Sequence, residues 1–302
     1  MVGFFDSEDY IWCWGDIPAD LRTGIQELEV SQARGFINEA LIEKHYALRQ
    51  PAEMSLAEFS TQMRLSNAIS NYIDFLGLFF LGIEPKLLKG ETLTDDEQAI
   101  YNLYRQISTL SDKPDLKTIE RLKSDGHSIV LLQAHTGFKD SQFLGLNDWD
   151  IPITQVTNSR VRTANDKSLD VVSPVAEGIQ IAYMRLIKSM RSKQRLVLIH
   201  PDGSHGQDLD EHTLLGVKVM MGKGVANIAY SGRAATFFLS TGWDGMRFKT
   251  TLIPSPSANA TEERELFEDR LTTFYLDCVR DVLLGPPQNM GVARAFWPSF
   301  SR

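Results

Sequence analysis

From Gly126 onward, short apolar runs of strand length alternate with stretches of helical periodicity. Short apolar runs between polar turns are typical of strands that are buried on both faces of a sheet. A helical pattern over 175–190 and a shorter one after Gly224 separate these runs. Strands that alternate with helices predict an α/β fold with a mostly parallel central sheet flanked by helices. The predicted strands are 129–132, 151–156, 196–199, 235–239 and 247–253.

The first 125 residues have a different pattern, in which apolar residues recur at helical spacing and Pro51 and Pro85 interrupt the helices. No low-complexity linker or internal repeat divides the chain. We therefore expect a single domain over 1–302, in which a helical region (1–125) packs on an α/β core (126–302). The predicted helices are 23–50, 55–81, 94–107 and 114–124, with a last helix over 261–284.

Composition excludes some functional classes. The net charge of −8 argues against broad nucleic-acid binding, which needs basic surface. Cys13 and Cys278 form no CxxC pair, and the acidic N-terminus does not resemble a secretory signal, so we expect a cytoplasmic protein. The most apolar run, Phe75–Ile83, is too short to span a bilayer as a helix, which takes about 20 residues. Peripheral contact with the inner face of a membrane stays open.

The strongest chemical signal is the segment HTGFKD, which directly follows the strand predicted at 129–132. His135 and Asp140 can meet if His135 lies in the strand-to-helix turn and Asp140 folds back, with Gly137 easing the turn. A carboxylate on one ring nitrogen makes the other nitrogen a general base. The alternative is a structural histidine with Asp140 as a charge at a helix start.

A second loop, His200-Pro201-Asp202-Gly203-Ser204-His205-Gly206, follows the strand predicted at 196–199. Two parallel strands then deliver acid and imidazole groups to the same edge of the sheet. The loop holds three titratable groups directly after a core strand, which favours a functional role. The alternative is a polar turn in which Asp202 forms an Asx-turn.

Three other groups are candidates for binding. Gly222 and Gly224 resemble a phosphate loop but lack its spacing, and they offer backbone N–H groups to an oxyanion. Asn158, Arg160 and Arg162 follow the strand predicted at 151–156 and can hold an acceptor phosphate or carboxylate. The basic residues between Arg185 and Arg195 form either a solvated helix face or a docking patch for an acyl carrier protein.

In the order of its motifs, the chain resembles the lysophospholipid acyltransferase superfamily, and within it the branch of the lipid A secondary acyltransferases. HTGFKD matches the His-x4-Asp motif of that superfamily. Further motifs follow in the expected order, and the similarity covers most of the chain. They are PVAEGIQIAYMRLIKSMRSKQRLVLIHPDG, LLG with GKGVANIAYSGRAATFF and, more loosely, NAISNYIDFLGLFFLGIEP and GPPQNMGVARAFW.

This resemblance implies an acyltransferase with an acyl thioester donor, either acyl-coenzyme A or acyl-acyl carrier protein, and no other cofactor or metal. It implies His135 as the base, Asp140 as its partner and Asp202 as a residue that positions the acceptor or its charge. We expect Gly137, His205 and the candidates above to bind substrate. The acceptor is a lipid or a small molecule with a hydroxyl or amine, and no acyl-enzyme is expected.

Two other functions stay open at this point. His135, Asp140, His200, Asp202 and His205 are acceptable ligands for Zn²⁺ or Mn²⁺, which would suit a metal-dependent hydrolase, although their spacing matches no standard zinc motif. A protein that binds acyl chains or a carrier without turnover is the other alternative.

Overall fold

The computed structural model describes residues 43, 46–48, 54–60, 62–63, 83, 86–87, 89–109, 111–112, 114–135, 153–156, 169–172, 178–193, 195–202, 209–244, 247–259 and 261–289. Its helices are α1 (Asp95–Thr109), α2 (Lys117–Ser124), α3 (Ile179–Lys193), α4 (Gly224–Gly232) and α5 (Arg264–Leu284). Its strands are β1 (Ser111–Asp112), β2 (Ile129–Gln133), β3 (Ile153–Val156), β4 (Leu169–Val172), β5 (Leu196–Ile199), β6 (Leu209–Leu214), β7 (Val217–Gly222), β8 (Ala235–Trp243) and β9 (Phe248–Pro254). A turn of 3-10 helix follows at Pro287–Asn289.

The described strands form a seven-stranded sheet in the order β1-β9-β8-β2-β5-β3-β4, and a separate hairpin of β6 and β7. The strands β8, β2, β5, β3 and β4 run parallel to one another. At one edge, β9 is antiparallel to β8, and β1 is parallel to β9. The predicted α/β fold with a mostly parallel sheet is therefore confirmed.

Every residue of β2 and β5 is buried, because helices cover both faces of the sheet. On one face, Val130 and Leu132 of β2 pack in the same cluster as side chains of α3, α4 and α5. On the other face, Ile129 and Leu131 pack with Ile119 of α2. This alternation along β2 is the two-residue period of a strand between two helical layers.

Part of the helical region before residue 125 also packs on the sheet. Residues 56–60 and 62–63 are helical, and Phe59 and Met63 are buried in the cluster formed by α3, α4 and α5. A capping box begins this segment: Ser55 N–H donates to Glu58 Oε2 over 2.9 Å, and Glu58 N–H donates to Ser55 Oγ over 3.3 Å. No helix in the described ranges is both long and apolar enough to cross a bilayer.

The predicted elements and the structure differ most between residues 209 and 222. The sequence interpretation gave 217–221 no strand, whereas β6 and β7 form an antiparallel hairpin over this stretch. Its turn consists of Leu215 and Gly216, both at positive φ (50° and 76°), the backbone that tight two-residue hairpins need. β1 and β4 were not predicted either.

The connections between strands change direction at the middle of the sheet. The chain that leaves β2 continues to β3, beyond β5, whereas the chain that leaves β5 continues to β8, on the other side of β2. The direction of the connections therefore reverses between two neighbouring parallel strands. Ligands of open α/β sheets bind at the carboxyl ends of the strands where such a reversal occurs.

Candidate active site

The carboxyl ends of β2 and β5 bring three chemically active side chains together. The two strands pair in parallel with Leu132 opposite Ile199, so they end at the same level of the sheet. His135 follows β2 after one buried residue, and His200 directly follows β5. Asp202 lies in the turn after His200. The prediction that both loops reach one edge of the sheet is confirmed for these residues.

Asp202 binds His135 through both carboxylate oxygens. Its Oδ1 lies 2.8 Å from His135 Nδ1, and its Oδ2 accepts the backbone N–H of His135 over 2.8 Å. Only 5% of the Asp202 side chain is exposed, compared with 19% for the His135 side chain. The carboxylate therefore fixes both the ring and the backbone of His135 from the buried side, while part of the imidazole reaches the surface.

The ionisation of Asp202 follows from its neighbours. Burial alone would raise the pKa of the carboxyl group, but the positive charge of His135, the hydrogen bonds from its ring and backbone, and the charge of His200 outweigh burial. Together they lower the pKa of Asp202 below its ordinary value of 3.8. Asp202 is thus a carboxylate at neutral pH, and a carboxylate only accepts hydrogen bonds.

This charge state determines the tautomer of His135. Because the Asp202 carboxylate accepts, Nδ1 carries the proton, and the neutral ring has its lone pair on Nε2. A carboxylate on the far nitrogen also stabilises the imidazolium that forms when Nε2 takes a proton. In this arrangement Nε2 is chemically able to accept a proton.

The ring of His200 stacks on that of His135, with centroids 4.3 Å apart and planes inclined by 30°. The sequence analysis counted His200 among the three titratable groups of the second loop and considered it as a metal ligand, but gave it no role beside His135. The strand before His200 indicates the edge of the sheet at which it lies, but its place beside His135 depends on the pairing of β5 with β2 in the structure. The positive charge of His200 acts on Asp202 as well, so both imidazoles belong to the same electrostatic site.

Most of the other predicted site residues lie outside the described part of the chain. The predicted partnership of Asp140 with His135 is untested for this reason, and the contact that the structure provides is with Asp202, which the sequence analysis had assigned to acceptor positioning. The predicted residues outside the described ranges are Gly137, Asp140, Asn158, Arg160, Arg162 and His205.

Gly222 and Gly224 flank the junction between the hairpin and α4. Gly222 ends β7, Gly224 begins α4, and Lys223 between them forms an ion pair with Asp210 over 2.9 Å. A Cβ at Gly224 would lie 3.1 Å from the Tyr183 ring of α3, so close helix packing explains this glycine. Because α4 leads back to the amino end of β8, its first turn lies at the same edge of the sheet as His135.

Among the described residues, no group of three or more His, Cys, Asp or Glu side chains is arranged to hold a metal ion. Two of the five ligands considered for a metal site, Asp140 and His205, fall outside these residues.

No family model matches the chain, and no curated protein to which it was compared is similar enough to count as a match. Support for a function therefore comes from the geometry of His135 and Asp202 and from the order of the sequence motifs.

Proposed function

We propose that this chain is an acyltransferase in which His135 Nε2 is the general base and Asp202 is its charged partner. The observation that carries the proposal is the contact of 2.8 Å between His135 Nδ1 and a buried Asp202 carboxylate at the carboxyl edge of a parallel sheet. The motif order supports acyl transfer in particular, because HTGFKD and the loop with HPDG are the segments that provide these two residues.

In the proposed reaction, His135 Nε2 removes a proton from a hydroxyl or amine of the acceptor as that atom attacks the thioester carbonyl carbon. The tetrahedral intermediate then collapses, the C–S bond breaks, and the imidazolium returns its proton to the departing sulfur. The products are the acylated acceptor and a free thiol. No acyl-enzyme forms, so the reaction needs only one base, which acts as an acid in the second half.

Asp202 contributes in two ways to this scheme. Its negative charge stabilises the imidazolium, and its low exposure keeps water from weakening that interaction. Its second oxygen holds the His135 backbone, so the imidazole does not need to reorganise when the proton arrives. We assign the oxyanion site to backbone N–H groups near Gly137 or at Gly222–Gly224, and acceptor binding to Asn158, Arg160, Arg162 and His205.

The donor in this proposal is acyl-coenzyme A or acyl-acyl carrier protein, and the acceptor is a lipid or a small molecule. A cytoplasmic protein, free or peripheral on the inner face of the membrane, would meet both donors. The exposed basic residues Arg185 and Lys188 of α3 are the candidate docking points for an acidic carrier protein.

The test is thiol release from a panel of acyl-coenzyme A and acyl-carrier donors, first with water and then with candidate acceptors. The variants are His135→Ala and, as a matched control, His127→Ala, since His127 is an exposed histidine before β2 at the opposite end of that strand. We expect wild type and His127→Ala to release thiol equally and His135→Ala to lose release by about 10²-fold or more.

Equal release by all three proteins would contradict the assignment of His135. Release by none of them, with donor bound, would favour the acyl-binding alternative. Metal that copurifies in stoichiometric amount and survives dialysis would favour the hydrolase.

A further inference from the structure

The turn His200-Pro201-Asp202 contacts the imidazole of His135 from two directions. At the edge of the ring, Asp202 Oδ1 lies 2.8 Å from Nδ1. On the face of the ring lies the imidazole of His200, with the two centroids 4.3 Å apart and the planes inclined by 30°. These values describe a stacked pair in contact. One short turn therefore provides both an edge contact and a face contact to the proposed base.

The backbone that carries His200 has little freedom. His200 directly follows β5, whose four residues are all buried, and β5 pairs in parallel with β2, the strand that leads to His135. Pro201 comes next, and a residue before proline is restricted to extended backbone. Pro201 is buried, and so is Nε2 of His200. The His200 ring thus projects from a rigid support, which is what the orientation of a neighbouring group requires.

The contact with Asp202 alone leaves one motion of the His135 ring open. It fixes the position of one ring atom, but the plane of the ring can still rock about the line from Cβ to Nδ1. Nε2 lies off that line, so rocking displaces the atom that would take the proton from the acceptor. A second ring against the face opposes this motion, because tilting towards it causes overlap and tilting away loses the stacking contacts.

We propose that His200 is a positioning residue whose stacked ring holds the plane of the His135 imidazole and keeps Nε2 aimed at the acceptor. The role requires a flat ring at position 200. The kinetic part of this inference rests on the proposed acyltransferase function. The structural part does not, because the contact between the rings and the mobility of His135 can be measured without substrate.

The test compares His200→Phe, which keeps a flat ring, with His200→Leu, which fills most of the same space without one. Both variants lose the same polar and titratable atoms, so any difference between them reports the ring. His200→Ala is the truncation. The matched control is His212→Leu, at a half-buried histidine of β6.

The first experiment is NMR of the histidine rings in the complete protein without substrate, with the His135 resonances assigned by their absence in His135→Ala. Wild type should show a nuclear Overhauser effect between the ring protons of His135 and His200. The ring current of residue 200 should keep the His135 ring protons upfield in wild type and in His200→Phe, and they should move downfield in His200→Leu and His200→Ala.

The same spectra give the exchange of the His135 Nδ1 proton with water. We expect exchange on the order of tenfold faster in His200→Leu and His200→Ala, because loss of one aromatic contact lets the ring leave the carboxylate more often. His200→Phe and His212→Leu should stay close to wild type. Equal exchange in His200→Phe and His200→Leu would overturn the proposal. So would the absence of the Overhauser effect in wild type, a result that does not depend on the folding of any variant.

The second experiment uses thiol release. We expect His200→Leu and His200→Ala to lower kcat on the order of tenfold and to leave KM within about twofold, since the ring acts through the base and not through substrate binding. His200→Phe should restore kcat to within about threefold of wild type. If His200→Phe is as slow as His200→Leu, the ring is not what supports catalysis and the kinetic part is wrong.

The two proposals fail in different ways. If wild type releases no thiol but Nδ1 exchange separates His200→Leu from His200→Phe, the acyltransferase proposal is wrong and the positioning role stands. If thiol release requires His135 but neither kcat nor exchange separates the two variants, the positioning role is wrong.

Discussion

Replacing Asp202 with Asn removes the charge from the base pair while changing its volume very little. Asp202 now accepts two hydrogen bonds of 2.8 Å from His135, one from the ring and one from the backbone. The single amide oxygen of Asn can satisfy only one of them well. If the oxygen stays on the backbone N–H, the amide NH₂ faces Nδ1, the ring adopts the other tautomer, and Nε2 carries a proton in place of the lone pair.

The size of the effect follows from the separation of the charges. Two unit charges about 3–4 Å apart attract by about 4–6 kcal/mol at an effective dielectric constant of about 20, which suits a mostly buried pair. Loss of that attraction for the imidazolium corresponds to about 10³- to 10⁴-fold in rate, at 1.36 kcal/mol for each factor of ten. The tautomer change acts in the same direction.

The assay is steady-state thiol release with the best donor and acceptor, for wild type, Asp202→Asn, His135→Ala and the double variant. Asp112→Asn is the matched control, because Asp112 is also an ion-paired carboxylate, 3.0 Å from Arg247, at the far edge of the sheet. The double variant should be no slower than His135→Ala, since the two residues act as one unit. If Asp202→Asn keeps more than about a tenth of the turnover, or if the losses add, the role given to Asp202 is refuted.

Three further predictions test other features. Because the pKa of Asp202 is lowered, its stabilising contribution is complete above its ordinary pKa of 3.8 and is lost as pH falls through the folded value. The difference in unfolding free energy between wild type and Asp202→Asn, from urea titrations between pH 6 and 2.5, should therefore shrink towards low pH. A constant difference would contradict this. Burial raises the pKa of the Cys278 thiol to about 11, so iodoacetamide at pH 8 should label Cys278 in urea but not in the native protein. Peptide mapping measures the labelling, and rapid labelling of the native protein would show the thiol to be accessible. Ile119 of α2 is fully buried against the sheet, so Ile119→Ala should lower the free energy of unfolding by about 2–4 kcal/mol in urea titrations. The control Thr118→Ala, at an exposed neighbour, should change it by no more than about 0.5 kcal/mol. Equal effects would mean that α2 does not cover the face of the sheet that carries Ile129 and Leu131.

Among the described residues, the strands and helices that carry apolar patterns were predictable to within a few residues, whereas the helices predicted at 23–50 and 55–81 lie largely outside the described ranges. β5 has the predicted bounds, β2 extends one residue further, and α5 ends before Gly285 as expected. The predictable elements share one property: each buries its own apolar residues, so its secondary structure is visible as the spacing of apolar residues in the sequence.

The hairpin of β6 and β7 shows why other elements were missed. Its strands are mostly half-buried, and its turn depends on a leucine at positive φ, which turn statistics do not favour. Lys218 pairs with Glu211 across the two strands, a contact that becomes visible only when the register is known. Local preference was weak here, and pairing between the two strands across the turn decided the conformation.

The candidate site also has some features that the sequence predicts and others that depend on the tertiary structure. The sequence by itself determined that His135 and the HPDG loop follow two buried strands, because runs of apolar residues reveal a strand and its end. It could not determine the sheet order, which makes β2 and β5 neighbours and puts Asp202 on His135 Nδ1. Contacts between segments that are distant in sequence depend on how whole layers pack, and no local pattern records that packing.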